Sequence, residues 1–273
     1  MAHIVHHFSA IGKRSAVWLA LAVMLAFDTT ARAGIINGSV SLTGDPGTTN
    51  LTAQGTDDWA VWGGTTNQTQ GSTTPYDEKN LVTHDILGMT LLGGLTDTGL
   101  TDRTDQNGTY TWSDGTNIAS QSSPIPMFMQ AYPPGGGPSS GPAIGTGFQL
   151  TFAASNILQR TLTLTLGYVD VNAQLTASLS DGSATEYTST VSSTSSATPA
   201  FAVYQITYLA NSPGQTLTVD YTTTASNGIY DNIGVEAATL SAVAVPEPAS
   251  FCFLAAGAMG LLVLRPKRSE FLA

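Results

Sequence analysis

The sequence predicts an all-β fold, an antiparallel β-sandwich or jelly roll, and three observations predict it. Apolar residues recur at every second position in run after run of the region 34–244. Turn dipeptides separate those runs. Hydroxyl residues crowd the alternate positions: residues 34–245 contain 37 Thr and 21 Ser, and the branched Cβ of Thr fits a pleated strand with one wet face.

The first element is a leader. Lys13 and Arg14 are followed by the apolar run Ala16–Phe27 and by Ala31-Arg32-Ala33, a small-x-small pattern. This is the layout of a secretory signal over residues 1–33, with signal peptidase cutting after Ala33 and a mature start at Gly34. His3, His6 and His7 fall in the discarded piece and form no metal site.

The body, 34–244, carries the strands. Phe148, Leu150 and Phe152 share a face; so do Leu162, Leu164, Leu166 and Tyr168, and then Leu175, Ala177 and Leu179. Tyr204, Ile206 and Tyr208 form another set, and Leu217, Val219 and Tyr221 the next, ahead of a last strand over Ile229–Val243. Asp181-Gly182, Pro213-Gly214 and Asn227-Gly228 supply turns. Leu81–Leu95 shows no clear period, and Gly88, Gly93 and Gly94 argue against a helix there. Residues 113–145 hold six prolines and Gly135-Gly136-Gly137, and read as a long loop or linker. Apolar residues within it, Ile125 to Tyr132, require cover and are expected to pack on a sheet.

Composition excludes several functions. Net charge is −10, and residues 34–245 hold 3 Lys/Arg against 16 Asp/Glu, so no basic face exists for nucleic acid. One cysteine, Cys252, rules out a disulfide scaffold.

Candidate chemistry is sparse. His84 is the body's one histidine and stands beside Asp85. The acidic pairs Asp57/Asp58, Asp77/Glu78 and Asp102/Asp105 are the raw material of a glycoside hydrolase, which needs two facing carboxyls. Asp102, Asp105 and Asn107 outline an oxygen-rich turn able to take Ca2+, although Arg103 and the missing closing Glu depart from an EF-hand. No other cofactor is implied. Trp59, Trp62 and Trp112 have ring faces suited to sugars, and a regular strand would turn either Trp59 or Trp62 outward. The array Thr161-x-Thr163-x-Thr165 reads as an ordinary wet sheet face. The strings around Trp59, Trp112 and Asp181-Gly182 look like a β-sandwich module of bacterial secreted and polysaccharide-associated proteins.

The end of the chain reads Val245-Pro246-Glu247-Pro248, then an apolar run Phe251–Leu264, then Arg265-Pro266-Lys267-Arg268. Fourteen apolar residues make a helix of about 21 Å, short of the roughly 30 Å hydrocarbon core, with the basic cluster held cytoplasmic. The segment 245–269 resembles the PEP-CTERM sorting signal of Gram-negative bacteria. That resemblance implies an exosortase as processing partner, transient anchoring of the C-terminal helix in the inner membrane, and a host that makes exopolysaccharide; some ice-binding proteins carry the same tail. The expectation is an exported, non-enzymatic protein of the outer surface or extracellular matrix, structural or adhesive in role. The alternative is a lectin-like glycan-binding module, calcium-assisted; a hydrolase ranks third.

Overall fold

A computed structural model describes residues 33–63, 73–93, 97–100, 108–132, 144–194, 200–228 and 232–245. The leader residues 1–32, Ala31 among them, lie outside this set, as does the tail from Pro246 through Glu247, Pro248, Arg265, Lys267 and Arg268. Among the described residues no helix is long and apolar enough to cross a membrane.

The body is nearly all β and nearly all antiparallel. One sheet runs β1 (Ile35–Thr43), β14 (Ala200–Leu209), β11 (Leu158–Val169), β16 (Asn232–Ala244), β3 (Asp58–Val61), β4 (Asp77–Glu78). On it, β9 (Met129–Tyr132) pairs with β16 and with β6 (Asp97–Leu100). The facing sheet runs β13 (Tyr187–Ser192), β12 (Val171–Leu179), β15 (Gln215–Ser226), β10 (Gly147–Ala154), β5 (Ile86–Leu92). A small third sheet joins β2 (Thr48–Asn50), β7 (Thr109–Trp112) and β8 (Gln121–Pro126), with β2 and β7 parallel. One helical turn, α1 (Leu51–Gln54), is capped by the Asn50 side chain, which accepts from Ala53 N at 3.0 Å.

The period-two runs are the core. Phe148, Leu150, Phe152, Leu175, Leu217, Val219 and Tyr221 from one sheet meet Leu162, Leu164, Leu166, Tyr204, Ile206 and Leu240 from the other, all fully buried. Two large sheets sharing one apolar interior make a sandwich. Asp170 is the corner between them. It stands alone between β11 and β12, takes φ of 52°, and passes the chain from one sheet to the other; its carbonyl accepts from Asn227 N at 2.6 Å.

Residues 113–145 are not simply a loop. The chain there forms β8 and β9, and Met127, Phe128 and Met129 are buried; residues 133–143 are outside the described set. Prolines did not prevent β8, because it is an edge strand whose outer side needs no N–H donors. Residues 81–95 likewise yield β5, bulged at Gly88, which has φ of 137°.

Phe128 explains two glycines. Gly167 on β11 and Gly234 on β16 are direct cross-strand partners. A Cβ on either would come within 2.3 Å of the Phe128 ring, so the pair forms a notch that the ring fills. Phe201 meets that ring edge-on at 6.2 Å. Phe128→Ala is expected to empty the notch and cost about 3–5 kcal/mol in chemical denaturation. Gly234→Val is expected to destabilise by overpacking, by about 1–3 kcal/mol or more.

Candidate functional site

Strand β3 is covered on both faces. Ala60 and the following Trp62 enter the main core; Trp59 and Val61 enter a second cluster with Leu51, Tyr110, Trp112, Met127 and Ala237. That second cluster exists because the small sheet lies over the outer face of β16 and β3. It corrects the expectation of an exposed indole: Trp59 and Trp62 are at 0% exposure and Trp112 at 2%. Each indole N–H is spent internally. Trp59 donates to Asp114 Oδ1 at 2.9 Å, Trp62 to the Thr73 carbonyl at 3.1 Å and Trp112 to the Ile118 carbonyl at 2.7 Å. Trp59 and Trp112 pack at 5.6 Å. The three tryptophans are structural anchors.

The buried acids are equally committed. Asp58 accepts from Trp59 N, Asp85 N and Ile86 N at 2.8, 2.8 and 2.9 Å. Asp77 accepts from Glu78 N, Thr116 N, Asn117 N and Ile118 N at 2.8–3.0 Å. These carboxylates replace the backbone partners that tight loops lack. Lys79 and Arg160 are paired too, with Asp114 at 3.7 Å and Asp85 at 2.7 Å.

Among the described residues a recess is open to solvent. It lies where β4 and β5, edge strands of the two large sheets, approach each other. Its volume is about 390 Å3. Pro75, Ile86 and Met89 give it an apolar floor; Thr73, Thr74, Glu78 and His84 give it polar groups. His84 stands between two carboxylates, its Nδ1 at 3.4 Å from Asp58 Oδ1 and its Nε2 at 3.7 Å from Glu78 Oε1. Such a set offers donors and acceptors beside apolar surface, which suits a small hydroxylated ligand. The residues that line the recess all fall within one stretch, 73–89, and Asp58 reaches His84 from β3. Asp102, Asp105 and Asn107 lie outside the described residues. Among those described, no group of three or more His, Cys, Asp or Glu is placed to hold a metal. The string Gly137-Pro138-Ser139-Ser140-Gly141 spells a Gly-x-Ser-x-Gly motif and also lies outside them.

Sequence reasoning passed over Glu236. It is the extra residue of a bulge in β16, where the register against β11 shifts between Thr165 and Leu166. Its side chain is wholly buried, and the Tyr110 hydroxyl donates to Oε2 at 2.7 Å. Burial pushes its pKa up to about 8, against the pull of the Tyr110 hydrogen bond and with a small addition from Asp45. Burial and Glu236 together raise the Tyr110 phenol. An acid inside an otherwise apolar strand, Ile233-Gly-Val-Glu236-Ala-Ala, was the available signal.

No family model matches the chain, and no curated protein matches it. Two solved structures are similar over part of it. One is Xyl-CBM35 in complex with a glucuronic acid-containing disaccharide, at 17% identity and a TM-score of 0.24, covering 36% of this chain and 70% of that one. The other is CBM35 from Cellvibrio japonicus Abf62, at 15% identity and a TM-score of 0.24, covering 42% and 76%.

Two outcomes follow from this geometry. Trp59→Ala should destabilise the fold by about 3–5 kcal/mol, read as a lowered melting temperature without ligand. Glu236 gives stability a pH slope. Its folded pKa lies above its ordinary 4.5, so between pH 4.5 and about 8 the unfolded chain has lost a proton that the folded chain keeps. Stability from this group is full below that window and is lost as pH rises through it, by up to about 1.4 kcal/mol per pH unit. Denaturation of Glu236→Gln across pH 5–9 should show that slope reduced, with the variant's advantage over wild type levelling off above pH 8.

Proposed function

We propose that this is an exported, non-catalytic protein of the cell surface or extracellular matrix, adhesive or structural in role, that contacts polysaccharide through a sheet face. One observation carries the reading: the outer face of the five-stranded sheet is a continuous hydroxyl and amide array. One rung runs Thr90, Gln149, Asp220, Thr176, Thr188, and its neighbour runs Thr151, Thr218, Ser178. Asp220 is the sole charge on these rungs, and it accepts from Gln149 Nε2 at 2.9 Å. Many weak neutral hydrogen bonds over a flat sheet favour a repeating polymer, where avidity offsets low affinity per contact. The commitment of Asp58 and Asp77 to backbone donors favours a non-catalytic role. Delivery by the signal at 1–33 and the PEP-CTERM tail at 245–269 belongs to the same proposal, with signal peptidase and an exosortase as processing partners.

A second reading rests on the recess at His84 and Glu78, which would make the chain a lectin-like module for a short sugar. The two separate by mutation. Thr151→Val, Thr176→Val and Thr218→Val together remove hydroxyls isosterically. In a sedimentation assay against the host's exopolysaccharide they should weaken the full chain at least tenfold and leave its melting temperature within a few degrees. Equal binding by wild type and triple variant, or turnover of the polymer, would defeat the proposal. Saturable disaccharide binding abolished by Glu78→Gln and His84→Ala would select the recess instead.

A further inference from the structure

Among the described residues, strand β1 is an unguarded edge. Its nine residues, Ile35 to Thr43, pair with β14 in unbroken register, without a bulge, and contain no charge and no proline. Most of the other sheet edges among the described residues are shorter or interrupted: β4 has two residues, β2 three and β6 four; β5 is bulged; β8 carries Pro124 and Pro126; β13, uncharged as well, has six residues against nine in β1. Long, flat, uncharged edges are templates for strand addition, and proteins that must stay single blunt them.

The apolar side of β1 is only partly covered. Ile36, Gly38, Val40 and Leu42 face the same way as their β14 partners Tyr208, Ile206, Tyr204 and Ala202, which are all buried. The facing sheet ends at β13, whose Tyr187 ring stands against Gly38. Beyond it Val40 is 36% exposed and Leu42 59%.

We propose that β1 pairs with β1 of a second copy of this chain, antiparallel about a two-fold axis through Ser39. The occupant is dictated by self-complementarity. Centred on Ser39, antiparallel pairing sets Ile36 against Leu42 and Gly38 against Val40 on the apolar side. On the polar side it sets Asn37 against Ser41 and Ser39 against itself. From Ile36 to Leu42 each residue thus meets one of its own kind, with Ile35 against Thr43 at the ends; the open backbone groups of each edge are satisfied, and the exposed leucine is covered by the isoleucine opposite. The chain carries −10 overall, and β1 brings no charge of its own into the contact. The pairing joins two eight-stranded sheets into one and does not depend on polysaccharide binding.

The test uses the full chain with Cys252→Ala, purified in mild detergent. Sedimentation equilibrium should show a dimer, and Leu42→Lys should weaken it at least tenfold with an unchanged circular-dichroism melt. Adding Ser39→Cys should yield a disulfide-linked dimer on mild oxidation, since only this register brings two copies of residue 39 together. Removal of the tail after Val245 should leave the dimer constant unchanged, separating β1 pairing from association through the apolar run. A monomer at tens of micromolar, or a dimer indifferent to Leu42→Lys and not crosslinked through residue 39, would overturn the proposal.

Discussion

The double burial of β3 is the constraint on which the rest of the structure depends. A strand in a sandwich ordinarily keeps one face wet, and this one keeps none: alternate residues enter two different apolar clusters. Its neighbours are fixed by that. Pairing of Trp59 and Val61 with β16 puts Ala237 and the bulge at Glu236 beneath the small sheet, and the Trp62 amide donates to the Glu236 carbonyl at 2.7 Å. The small sheet in turn needs an apolar underside, which Tyr110, Trp112 and Met127 provide. Remove the covering and the buried faces of Trp59 and Trp112 meet water, each a loss of several kcal/mol at about 25 cal/mol per Å2.

Covering β3 twice forces loops to cross over it, and loops over a buried strand have orphaned amides. That is the physical reason acids sit at 58 and 77. Each is the first residue of its short strand and each points into a turn of the chain, Asp58 to the entry of β5 and Asp77 to the segment after β7. Acidic pairs in a sequence invite a reading as catalytic dyads, yet a carboxylate that accepts three or four backbone N–H groups is stabilised in place and has no spare lone pair aimed at a ligand. Glu236 is the contrasting case. It has one phenol for company, its other oxygen is unpartnered among the described residues, and it resists ionisation instead of using its charge.

The main core was legible from period two alone, because each of its strands has one wet face: the sets at Phe148, Leu162, Leu175, Tyr204 and Leu217 are buried as their alternation demands. Alternation failed where two cores meet. Trp59 and Trp62 were read as opposite faces, which is correct, but one face was assigned to water that the small sheet in fact excludes. The prolines and glycines of 113–145 and the lack of alternation there read as a loop or linker, yet β8 forms, because an edge strand does not miss the donor that Pro124 lacks. The recess at His84 is local in sequence, built from residues 73–89, but those residues show no period and no motif, and only the turn between β4 and β5 folds them into a concave surface.

The edges decide what such a molecule can touch. Asp58, Asp77 and the three indole N–H groups are matched within the fold, and Glu236 is buried with one oxygen unpartnered among the described residues. What remains free is geometric. One seam of the sandwich, between β4 and β5, is left open by a two-residue strand and a bulge, and the opening is polar and concave. The other, along β1, is straight, neutral and half-apolar, and two such edges can meet without distorting either. A sheet face that is mostly neutral hydroxyl and amide gains little from any single contact. Doubling it through β1 would place two polysaccharide-facing sheets in one particle, and paired weak faces hold a polymer far longer than either alone. In the proposed function, strand pairing and a charge-poor wet face would then act together, with avidity in place of a deep binding site.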